Sequence, residues 1–390
     1  MGIWGIRDFR FLWGGRAISL LGSWLLVVAV PAHVYALTGS VFATGATLAA
    51  EYLPVLVLGP MAGVLVDRLD RRRVMIAADL FRGAAVAAML VGTPAAIYVA
   101  VVAESVGAVV FRPAAQAHVP AVVGAAELSS ANSWNAATDG VVRLIGPPLG
   151  GVLLVWAGFE VVVVLDVASY LVSAVAIAFT TSRSIPRTGR TKAIKDLVLV
   201  RKLLPLTGVF LMANAALSSL LVPFGVRNLG GSAQVGMVLS ALGVGFLGGA
   251  VIVRWLDRIQ LRIVLAGAQL ATAGGFALLF SANGLTTAMI AATLIGVFGS
   301  ITVVAPQTVL QRTADNGQLG RISAVFLTVE ALATLIGALA GPWLAESVSL
   351  HAAAMTAAAI TAAGAVVGAV TVPRVMLAPK RSNEQVDAHA

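Results

Sequence analysis

Apolar residues run along this chain in long unbroken stretches, interrupted at fairly even intervals by short clusters of Gly, Pro, Ser and charge. Breaking the sequence at those clusters predicts twelve helices. They fall at about 11–37, 41–66, 73–92, 95–116, 132–156 and 160–181, then at 204–226, 234–255, 261–281, 285–310, 320–345 and 350–372. Each approaches or exceeds the roughly 20 apolar residues that cross about 30 Å of hydrocarbon. Such stretches must be helical in lipid, because every backbone N–H and C=O then finds its partner within its own segment.

The pattern repeats. Gly63-Val-Leu-Val-Asp67-Arg68-Leu-Asp70-Arg71-Arg72-Arg73 lies between the second and third segments, and a fainter copy, Asp257-Arg258-Ile-Gln-Leu-Arg262, lies between the eighth and ninth. Asp67, Arg68 and Arg72 match Asp257, Arg258 and Arg262 at an offset of 190, and Leu144-Ile145-Gly146 matches Leu335-Ile336-Gly337 at 191. Two matches at nearly one spacing indicate parallel repeats of a six-helix unit, an organisation typical of transporters with a substrate path between the halves. The expected organisation is a six-helix bundle over 1–181, a basic linker over 182–203, a second bundle over 204–373 and a tail over 374–390.

Composition agrees with an all-α, polytopic membrane protein: 59% of residues are hydrophobic and 11% charged, against about 25% charged in a soluble domain. With no cysteine, disulfides, thiolate metal sites and thiol nucleophiles are excluded. The first apolar run is too long for a signal-peptide core and lacks a small-residue cleavage site, so it reads as a retained span. The net charge of +9 is an orientation signal rather than a nucleic-acid footprint. Arg7, Arg10, Arg68, Arg71 to Arg73, the linker cluster, Arg258, Arg262, Arg312, Arg321, Lys380 and Arg381 all fall in one set of loops, and only Arg227 in the other. By the positive-inside rule the first set is cytoplasmic, with both termini, as an even number of spans requires. Trp13, Trp134 and Trp255 near one set of ends and Trp156 and Trp343 near the other match an aromatic belt, whereas Trp24 sits mid-span. The opposite loops are too short for an external domain, so function is expected within the helices.

Charges inside the apolar segments are the candidates for that function, because each needs a partner, water or a bound proton. Glu51, Glu104 and Glu330 lie midway along segments 2, 4 and 11. Each reads either as a neutral, hydrogen-bonded tie between helices or as a cavity carboxyl able to carry a proton. Asp79 with Arg82, three apart, and Asp139 with Arg143, four apart, each share a helical face. These pairs either hold helices in register or line the substrate path. Arg16 and Arg112 are expected to snorkel toward the nearer interface. His33 and Asp166 read as buried fillers or as proton relays. Gly243-Val-Gly245-Phe-Leu-Gly248 spells a dinucleotide fingerprint, but no strand precedes it. Its glycines, like Gly59 and Gly63, read as small-residue packing faces. No lysine follows a glycine, so there is no phosphate-binding P-loop.

The Gly63 to Arg73 segment resembles the loop signature of the major facilitator superfamily, Gly-x-Leu-x-Asp-Arg-x-Gly-Arg-Arg/Lys, with Asp70 replacing the second glycine. The resemblance implies a cytoplasmic gate. Gly63 would let helix 2 approach helix 11, Asp67 would meet the positive amino end of helix 11, and Arg68, Arg71 and Arg72 would complete the latch. Gly146-Pro147-Pro148-Leu149-Gly150-Gly151 is similar to the helix 5 signature of the superfamily's exporters, with Val142 in place of its leading glycine. Phe111-Arg112-Pro113-Ala114, Pro120, Glu127-Leu128, Ala131-Asn132 and the opening Arg7-Asp8-Phe9-Arg10-Phe11-Leu12-Trp13 resemble the branch of macrolide-efflux and enterobactin-export proteins. Many drug exporters carry an arginine on helix 4 four residues before a glycine, where this chain has Ala103 before Gly107.

The expected protein is therefore a proton-coupled exporter of small amphipathic or apolar compounds. Its partners are the substrate, protons and the lipid bilayer, without nucleic acid or cofactor, and it is expected to act as a monomer in a bacterial cytoplasmic membrane. A siderophore or self-made metabolite is the alternative cargo. A membrane-embedded enzyme or sensor would need a catalytic set that four scattered histidines and short loops do not supply.

Overall fold

The computed structural model describes residues 2–67, 69–181, 197–256, 259–313 and 319–375. Among them, twelve helices are long and apolar enough to cross a membrane. We label these α1 (Arg7–Thr38), α2 (Val41–Asp67), α3 (Arg71–Ala87), α4 (Pro94–Gly124), α5 (Ser130–Ala157), α6 (Phe159–Ala178), α7 (Leu197–Phe224), α8 (Ser232–Ile252), α9 (Leu261–Phe280), α10 (Leu285–Thr313), α11 (Leu319–Ser347) and α12 (Leu350–Thr371).

Local chemistry sets the ends. Thr93 accepts a hydrogen bond from the Ala96 amide with Pro94 in the first turn, Ser349 caps α12 through the Ala352 amide, and Asp70 caps α3 through the Arg73 amide. Gly39 closes α1 at φ +65°. One expectation differs: 117–131, read as a loop, stays helical apart from a single break at Gly124, with φ +72° and ψ +174°. The Ala- and Val-rich sequence on either side favours continuing the helix, and only a residue without Cβ takes that backbone turn cheaply.

The packing is two-fold in pattern. In the first half α1 packs on α5 and α6, α2 on α4, and α3 on α4 and α6; in the second half α7 packs on α11 and α12, α8 on α10, and α9 on α10 and α12. The bundles meet along two seams, α2 with α11 and α5 with α8, which exchange under the same pseudo-symmetry. Glycines make the repeat physical. Gly146 and Gly150 lie on Trp24 and Leu25 of α1; Gly337 and Gly341, each 191 residues later, lie on Met212, Ala215 and Ala216 of α7. Gly45 of α2 lies on Ala338 and Pro342 of α11, and its counterpart Gly236 of α8 on Pro147 and Pro148 of α5.

These seams are tight on the side away from the termini. There Glu346 of α11 accepts hydrogen bonds from the Ser40 hydroxyl at 2.6 Å and the Phe42 amide at 3.0 Å. Arg227, in a π turn after α7, donates to the Tyr35 hydroxyl of α1. Val28, Ala32 and Val41 join the second bundle's core at this end. Toward the terminal side the α2–α11 seam parts. Gly59, about four turns below Gly45 on a similar face, has no described atom within 4 Å of where a Cβ would stand, so it does not form the packing face expected of it. Leu327 on α11 is 58% exposed. The α5–α8 seam holds lower down, with Leu247 lying over Gly140. The space between the bundles thus opens toward the terminal side.

A methyl at position 150 would meet the Leu25 carbonyl, whereas one at 59 meets open space. Gly150→Ala should destabilise the protein by about 1–3 kcal/mol, and Gly59→Ala should be neutral or slightly stabilising, read as unfolding midpoints in detergent.

Candidate functional site

Two groups of charged side chains occupy the membrane-depth interior: one inside the first bundle, the other facing the space between the bundles. The first centres on Arg82 of α3, whose side chain is only 11% exposed. Its Nε and Nη2 lie 2.8 and 2.7 Å from Glu104 Oε1 on α4, and its Nη1 lies 3.5 Å from Asp79 Oδ1. The guanidinium sits over the Tyr170 ring of α6 at 4.3 Å, and the Tyr170 hydroxyl donates to the same Glu104 oxygen at 2.9 Å. The Ser23 hydroxyl of α1 lies 2.9 Å from that of Tyr170. Four helices therefore converge on one cation. Gly107, a turn beyond Glu104, gives the Arg82 stem passage across α4, because a Cβ there would strike Arg82 Cγ.

Asp79 and Asp166 are fully buried beside this group. Asp79 faces Arg82 through its long ion pair, with the Ser173 hydroxyl of α6 beside it. Asp166 Oδ1 accepts from Ser169 at 3.1 Å while its Oδ2 has no hydrogen-bond partner. Three carboxyls therefore lie close to a single guanidinium. Glu104, 19% exposed, is the member nearest water.

The second group differs from expectation in its pairing. Asp139 does not neutralise Arg143 along α5. It pairs across helices with Arg16 of α1, Nη2 to Oδ1 at 2.6 Å, and Arg16 therefore does not snorkel away from the interior. The reason is geometric. Arg16 approaches from the facing helix, and Thr138 beside it is held by Trp13 Nε1 at 3.0 Å, which fixes α1 against α5 at this level. Arg143, released, lays its guanidinium over the Trp24 indole at 5.4 Å and remains exposed. Trp24 is the mid-span tryptophan that an aromatic belt did not explain. Glu51 of α2 is exposed within electrostatic reach of Glu104 and Arg112. Glu330 of α11, half-buried, lies within reach of Arg112 and Arg143.

Among the other expected positions, Arg71 Nη1 donates to the Ala117 carbonyl of α4 at 3.0 Å, and Arg72 donates to the Ile177 and Ala178 carbonyls of α6. These cations cap helix ends of their own bundle. Arg68, Asp257 and Arg258 lie outside the described residues, as do the side chains of Gly63 and Asp67 and residues 182–196 and 376–390. Gly146, Pro147, Gly150 and Gly151 place α5 between α1 and α8, with Gly151 against the Ser232 carbonyl. His33 stacks on Phe159 at 3.9 Å. Tyr170 and Ser23 were not singled out by sequence, since nothing local marks a tyrosine on α6 as a partner of α3 and α4.

The family model of the major facilitator superfamily matches residues 12–252 and 203–390. The chain belongs to that superfamily. It is a multi-pass membrane transporter rather than an enzyme. Macrolide efflux protein A of Streptococcus pyogenes is 28% identical over 45% of this chain and 44% of its own length, so the chain spans less than half of that relative. The multidrug efflux pump Tap of Mycolicibacterium fortuitum is 28% identical over 91% of this chain and 93% of the pump. Among solved structures, a bacterial homologue of the iron transporter ferroportin in its inward-facing state superposes with a TM-score of 0.75 at 17% identity, over 95% of this chain and all of that one. At that identity the likeness speaks to the fold alone.

The Arg16–Asp139 pair is testable by charge exchange. Asp139→Arg or Arg16→Asp alone should lower the unfolding midpoint, and the double exchange should recover up to about 1 kcal/mol of coupling, whereas Arg143→Gln should leave the midpoint little changed.

Proposed function

We propose that this transporter is a secondary-active exporter of small amphipathic compounds, driven by proton entry, with both termini in the cytoplasm. The observation that carries the coupling is the buried Arg82–Glu104 pair with Asp79 and Tyr170. Drug exporters that place an arginine on helix 4 keep a cation at mid-membrane; here position 103 is alanine and Arg82 reaches the same helix from α3, over Gly107. Protonation of Glu104 weakens its hold on the guanidinium, and Asp79 stands on the same cation to receive it. A proton taken from outside and released inside thereby biases one arrangement of the first bundle over the other, which is the differential interaction that coupling requires.

Export is supported by the names of the relatives, a macrolide efflux protein and a multidrug efflux pump. The orientation rests on the distribution of Arg and Lys. In the same reading Gly63, Asp67, Arg68, Arg71 and Arg72 form the cytoplasmic gate. Gly146, Pro147, Gly150 and Gly151 keep α5 thin and bent at the seam on which the bundles move.

The test is efflux in proteoliposomes under an imposed pH gradient, with a macrolide and a fluorescent dye as cargo and an ionophore as control. Wild type should respond to the gradient. Glu104→Gln should lose the response by a factor within about 5–150, the usual span of a coupling energy, while still exchanging cargo without a gradient. Full gradient dependence in Glu104→Gln and in Asp79→Asn would reject this cluster as the coupling site.

A further inference from the structure

Arg143 stands out as a mid-membrane cation whose expected partner has been taken. Asp139, one turn away on α5, is bound to Arg16 at 2.6 Å. Among the described residues no carboxylate lies within ion-pair distance of Arg143, and no group accepts a hydrogen bond from it. Its guanidinium is seated on the Trp24 face at 5.4 Å. That seat is built. Gly146, on the next turn of α5, lets the Trp24 Cβ come against the helix backbone, and Ser240 of α8 donates to the Leu144 carbonyl at 2.6 Å beside it. A cation–π contact with the indole uses none of the guanidinium's five N–H donors, which remain open to an acceptor.

We propose that Arg143 on Trp24 is the anion subsite of the cargo cavity, and that the cargo is an amphipathic carboxylate. Its planar carboxylate takes the guanidinium edge through two parallel hydrogen bonds, and its apolar body extends into the space between the bundles. Glu330 of α11 and Glu51 of α2 lie within electrostatic reach of the same region. This assignment rests on the cavity of the proposed exporter, and not on what powers it.

Binding to purified protein in detergent, without any gradient, tests it with three probes that share one apolar body: 2-naphthoate, 2-naphthamide and 2-naphthylmethylammonium. Wild type should bind the carboxylate about tenfold more tightly than the amide, the size of a charge-assisted hydrogen bond. Arg143→Gln should abolish that preference while leaving amide binding in place. Arg143→Lys should retain part of it, because charge remains without the planar fork. Equal binding of acid and amide by wild type, a preference for the ammonium probe, survival of the preference in Arg143→Gln, or no binding of any probe would each overturn the subsite. Loss of gradient-driven efflux with the preference intact would instead count against the exporter reading alone.

Discussion

A helix surrounded by hydrocarbon gains little from covering a leucine, so close backbone approach, and not apolar burial, has to hold the bundle together. This chain meets that constraint with glycine at positions repeated 191 residues apart. Gly146 and Gly150 bring α5 onto α1; Gly337 and Gly341 bring α11 onto α7; Gly45 and Gly236 bring the two bundles together at corresponding places. These glycines are thus divided between holding each bundle and joining the pair. Two of the helices that glycine presses closely, α5 and α11, also carry Arg143 and Glu330 to the wall between the bundles. Packing and chemistry are therefore set by the same residues.

The charges follow a second rule of the same medium. Among the described residues, the arginines at membrane depth are matched, shared or directed at water. Arg82 is shared among Glu104, Asp79 and the face of Tyr170; Arg16 is matched to Asp139; Arg71 and Arg72 are spent on helix-end carbonyls. Arg143 alone among these is answered by a ring and not by an oxygen. That distinction separates groups that hold the bundle from groups available to something that comes and goes.

Much of this was readable in the sequence. Twelve spans, their doubling, the small-residue character of α5 and the mid-membrane position of Glu51, Glu104 and Glu330 follow from hydropathy, spacing and charge. Side-chain partnerships did not follow in the same way. Helical spacing correctly placed Asp79 beside Arg82 but could not show that Glu104, on the next helix, holds the guanidinium more closely. The same spacing suggested Asp139 with Arg143, and a facing arginine on α1 displaced that contact. Spacing within a helix reports which groups can meet; geometry between helices decides which do. Gly124 shows the same limit at the backbone, since the stretch 117–131, expected as a loop, is helical on both sides of this one residue.

The unequal seams carry a mechanical consequence. Because α5 and α8 stay in touch at Gly140 and Leu247 while α2 and α11 have drawn apart at Gly59, the two halves are spread like a book whose spine runs along α5 and α8. The opening that results is one-sided, bounded by α2 on one side and α11 on the other.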